Sequence, residues 1–61
     1  MDPFSESFLK RLEELKQDHV NHLSNGSVAS YEEYRHICGI IRGISIAELE
    51  LKDLAGSEED F

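Results

Sequence analysis

Apolar positions in the first third of the chain fall at Phe4, Phe8, Leu12, Leu15, His19 and Leu23, in steps of 4, 4, 3, 4 and 4. That spacing returns to one face of an α-helix every turn, and Leu9 and Val20 widen the stripe. Lys10, Glu13, Glu14, Gln17, Asp18 and Asn21 fall on the opposite face and suit water. The pattern predicts a first helix over 3–24, roughly 30 Å long at the usual rise per residue. Asp2-Pro3 is a good entry to it: Asp accepts a free backbone N–H, and Pro costs nothing at the first helical position. Ser24-Asn25-Gly26-Ser27 is the strongest breaker cluster, so 25–29 reads as a loop. Ser30-Tyr31-Glu32-Glu33 fits a capping box, in which the hydroxyl serves the Glu33 N–H and the Glu33 carboxylate reaches back.

The second helix, expected over 30–54, is apolar more nearly all round. Ile37, Ile41, Ile44 and Leu51 share one face, interrupted by Glu48. Ile40, Ile44, Ala47, Leu51 and Leu54 form a second, heptad-like seam. Ile46 and Leu49 belong to neither. One neighbouring helix covers one stripe, so the surplus needs another surface to touch. The stretch Ile44 to Leu51 also alternates with period two, and isoleucine favours strands. A strand there would need a sheet to join, however, and no second candidate strand is present. The expected architecture is therefore all-α: a two-helix antiparallel hairpin, a short acidic tail over 55–61, and a core completed by oligomerisation or a partner protein.

Length sharpens that expectation. A chain of 61 residues makes one domain at most and buries only about 60% of its unfolded surface. Cys38 is the single cysteine, so no disulfide within the chain can compensate. The N-terminus lacks the basic and apolar regions of a signal peptide, which points to a reducing compartment or a particle assembled in one. The apolar stretch from Ile37 to Leu51 contains Arg42, Glu48 and Glu50 and is too short and charged to span a bilayer. The net charge of −7 is concentrated at the end, where residues 48–61 carry six acids and only Lys52. Such a chain repels phosphate backbones, which argues against direct nucleic-acid binding. It suits a solvated tail or a basic protein surface.

Little in the chain suggests chemistry. Gly39, Gly43 and Ala47 form a small-residue ridge four residues apart. Each helical glycine costs roughly 1 kcal/mol against alanine, so another backbone is expected close by. It belongs either to the first helix or to another chain, and Gly43→Leu is expected to be damaging. His19, His22, His36 and Cys38 include metal-ligand types, but no cysteine pair is present, and His36 and Cys38 project about 200° apart. No metal, cofactor or catalytic site is expected, since two helices do not enclose a pocket for a triad. Asn25-Gly26-Ser27 matches a glycosylation sequon but reads as a turn. Tyr31 and Tyr34 are expected to pack on Leu23 or Val20, or else to serve as interface anchors. Phe61, after Glu58-Glu59-Asp60, is either a loose end or a short docking motif.

The run Tyr34-Arg35-His36-Ile37-Cys38-Gly39-Ile40-Ile41-Arg42-Gly43-Ile44, continued through Ala47 to Leu54, resembles a pattern in small helical proteins encoded by tailed bacteriophages. In those, a Tyr, an apolar-Gly pair, a second Gly and an Ala precede an acidic helix end, with His36 and Cys38 at variable positions. The resemblance spans residues 8–54. It implies a minor virion component, attached in many copies to a head, portal or tail protein, in the virion or host cytoplasm. Ile37, Gly39, Ile40, Ile41, Gly43, Ile44, Ile46 and Leu49 are the expected partner-binding residues. The alternative expectation is an acidic phage-encoded inhibitor or DNA mimic that binds a host nucleic-acid enzyme through the cluster from Glu48 to Asp60.

Overall fold

The computed structural model describes the backbone of residues 1–59 and the side chains of residues 1–56. It consists of two helices, α1 (Pro3–Ser24) and α2 (Tyr31–Glu59), packed against each other as an antiparallel hairpin. No strand occurs among the described residues. The period-two run from Ile44 to Leu51 lies in the middle of α2 and is helical throughout.

Local chemistry accounts for three of the four helix ends. Asp2 is extended (φ −71°, ψ 163°), and its Oδ1 accepts the Ser5 N–H at 3.3 Å, with Pro3 following at the first helical position. At the other end the Asn25 N–H closes the last turn on the Asn21 carbonyl at 3.0 Å. Gly26 then takes φ +79°, a conformation side chains disfavour, and reverses the chain. The Asn25 side chain accepts both the Ser27 N–H, at 3.0 Å, and the Ser27 hydroxyl, holding the turn. Ser30 Oγ accepts the Glu33 N–H at 3.1 Å, while Glu33 Oε2 accepts from Ala29, one residue before the cap, at 2.9 Å.

The second helix runs further than the sequence pattern predicts. It continues past Leu54 through Ala55 and Gly56 to Glu59, and Ala55 is buried. Ala55 falls on the same side of α2 as Ile37, Ile44 and Leu51. With 29 residues against 22, and both helices starting from one loop, α2 outruns α1 at the far end. Asp60 and Phe61, and the side chains of the acidic tail, lie outside the described residues.

The hairpin has almost no interior. Among the described residues, Ile37 (5% exposed) and Ala55 are the buried apolar ones, and no side chain is fully enclosed. Leu9, Leu12, Leu15, Leu23, Ile40, Ile41, Ile44 and Leu51 are half-buried along the seam. The accessible surface is 4752 Å², against about 4,000 Å² for a compact monomer of this mass.

Candidate interaction surface

The inner line of α2 runs through Ile37, Ile41, Ile44, Glu48, Leu51 and Ala55. Glu48 interrupts the apolar run in sequence but not in space: it is 6% exposed, and Lys16 Nζ lies 2.7 Å from its Oε1. The approach is close enough for an ion pair but not aligned as a hydrogen bond, so that oxygen has no hydrogen-bond donor. Helical side chains lean toward their own N-terminus. In antiparallel helices Lys16 and Glu48 therefore lean toward each other across the seam. Sequence reasoning missed Lys16, although a signal existed: it sits one turn after Leu12, a cation on one apolar stripe answering an anion on the other.

The eight expected partner-binding residues separate into two groups. Ile37 is covered by α1, and its surface is already used within the hairpin. Ile40, Ile41 and Ile44 are half-buried in the same seam. Gly39, Gly43, Ile46 and Leu49 face away from α1, with Ile46 52% and Leu49 67% exposed. An added Cβ at Gly39 or Gly43 would meet nothing within 4 Å. Helix one is therefore not the backbone that approaches the small-residue ridge. The ridge is bare, bordered by Ile46 and the exposed Leu54.

Three histidines gather at the loop end. His19, His22 and His36 line an open groove of about 380 Å³ with Asp18, Ile37 and Ile40. His19 Nδ1 donates to the Leu15 carbonyl at 2.8 Å, since a carbonyl only accepts. His22 Nε2 lies 3.3 Å from Glu33 Oε1 and joins the end of α1 to the start of α2. The Ala29 N–H, and after it His22, hold the Glu33 carboxyl below its ordinary value of 4.5. Among the described residues no group of three or more His, Cys, Asp or Glu is placed to hold a metal ion. Cys38 is half-buried on the flank of α2.

Aromatic residues depart from their expected places. Tyr31 and Tyr34 are exposed and stack on each other, centroids 6.3 Å apart and planes 21° from parallel, rather than covering Leu23 or Val20. Phe4 (75% exposed) and Phe8 make an edge-to-face pair at 6.2 Å beside Ser7 and Arg11, outside the seam. The reason is geometric. Each four-residue step advances about 40° around a helix, so Phe4, two such steps before Leu12, has rotated out of the stripe.

Compared with family models, curated proteins and solved structures, the chain matches none of them. No helix among the described residues is long and apolar enough to cross a membrane. The acidic cluster is smaller than its sequence suggests, because Glu48 is buried against Lys16. Glu50 and Asp53 are its exposed members among the described side chains.

Proposed function

We propose that this chain is a non-enzymatic structural or interaction module, which docks through the outward face of α2 onto a protein surface, either its own or a larger partner's. One observation carries the reading: Ile46 and Leu49 stand exposed beside Gly39 and Gly43, on the side of α2 that α1 leaves uncovered. Glycine in mid-helix weakens the helix, and exposed branched apolar side chains lower solubility. Together on one face they make sense as half of a contact. The resemblance over residues 8–54 supports a place in a tailed-phage particle, as a minor component present in many copies on a head, portal or tail protein.

The test is a pair of surface variants. The purified chain should bind an apolar dye, and Ile46→Lys with Leu49→Lys should remove most of that binding while the far-ultraviolet circular dichroism stays helical. A native hairpin that binds no dye and associates with nothing at micromolar concentration would defeat the reading. The virion placement makes its own demand: the chain should band with gradient-purified particles in many copies. Particles free of it would remove that placement alone.

A further inference from the structure

We infer that the occupant of the outward face of α2 is a second copy of this chain, packed antiparallel about a two-fold axis beside Ile46. This inference rests on the docking role proposed above and names its partner. Ile46 lies nine residues after Ile37, about 180° around the helix, so its line is directly opposite the seam with α1. A two-fold axis there sets residue 46 + n against residue 46 − n of the partner copy. The face matches itself under that operation. Ile46 meets Ile46. Leu49 and Gly43 fall at the same height on opposite flanks of that line, and the open Cβ position at Gly43 lets the partner helix come close. Arg42 comes opposite Glu50, and both are exposed with no ion pair inside the chain among the described residues.

Charge also selects the direction. A parallel pairing would set Arg42 against Arg42 and Glu50 against Glu50, which is repulsive, whereas the antiparallel one gives two Arg42–Glu50 pairs per dimer. The symmetric contact is of the commonest kind among soluble oligomers. Burial of α2 on both sides also accounts for its apolar character nearly all round.

Equilibrium sedimentation of the full chain decides the matter. The expected result is a dimer at micromolar concentration. Arg42→Glu alone, or Glu50→Arg alone, puts two like-charge pairs into each dimer and should weaken it about tenfold. The double reversal should restore it to nearly the original affinity, a rescue that no intrachain role explains, because residues 42 and 50 do not touch within one helix. Independently, Ile46→Cys in a Cys38→Ser background should oxidise to a disulfide-linked dimer, whereas Lys10→Cys in the same background should not. A dimer indifferent to both reversals, or one whose residue 46 does not cross-link, overturns this two-fold. A helical monomer that still binds an apolar dye overturns the second copy while leaving the docking role standing. A monomer without dye binding overturns both.

Discussion

Lys16 and Glu48 set the energetics of the seam at the scale of single residues. The Lys16 side chain is 33% exposed and that of Glu48 only 8%, so the carboxylate bears most of the desolvation and the ammonium keeps part of its water. Removing the cation should therefore hurt more than removing the pair. Lys16→Met is expected to cost about 2 kcal/mol in urea denaturation, below the full range for a wholly buried pair, because it leaves Glu48 inside without a counter-charge. The combined Lys16→Met and Glu48→Leu change should be close to neutral or stabilising, and a double-mutant cycle at fixed protomer concentration reads the difference. Gly43 gives the opposite kind of result. Its Cβ position is open, so Gly43→Ala should stabilise the helix by up to about 1 kcal/mol. A higher melting midpoint of the dilute chain is the check. Damage from a larger residue such as Leu at this position belongs to association, not to the hairpin.

Each helix start is held by a carboxylate, and that makes the elements sensitive to acid. Asp2 accepts the Ser5 N–H, and Glu33 accepts the Ala29 N–H and meets His22. Those bonds hold both carboxyls below their ordinary values of 3.8 and 4.5. A carboxyl whose folded value is depressed adds stability that is fully present above its unfolded value and disappears as pH falls through the folded one. Helix content should thus hold down to about pH 4.5 and decline below it, and Glu33→Gln should flatten the first part of that decline in melts followed by circular dichroism. Ser30→Ala should cost about 1 kcal/mol at neutral pH, the usual value of a lost N-cap. These devices were legible because they are local: Asp2-Pro3 and Ser30 to Glu33 act within four residues of chain. The far end of α2 was less so. Nothing local after Leu54 announces that the helix continues to Glu59 with Ala55 buried.

At the scale of the molecule, the undecided question in the sequence was which of several apolar lines on α2 would face α1. Periodicity alone does not answer it, since Ile44, Ile46 and Leu49 occupy different sides of one helix. The choice falls to the Ile37, Ile44 and Ala55 line, helped by Lys16 meeting Glu48, and it leaves the glycine ridge and Ile46 outside. What remains inside is meagre. A domain of this length has a stability of about 3–9 kcal/mol at usual per-residue values, and here two buried apolar side chains anchor it. Ile37→Ala, at about 2–4 kcal/mol, should therefore unfold much of the dilute chain. If α2 gains a second covered side by association, folding and assembly are linked, and the native state is stabilised by mass action. The melting midpoint should then rise with protein concentration over the micromolar range, and Ile37→Ala should regain helicity as concentration increases. A midpoint independent of concentration, in a chain with so little of its apolar surface enclosed, would mean that the two helices of one hairpin suffice, and that the exposed side of α2 contributes nothing to holding the fold together.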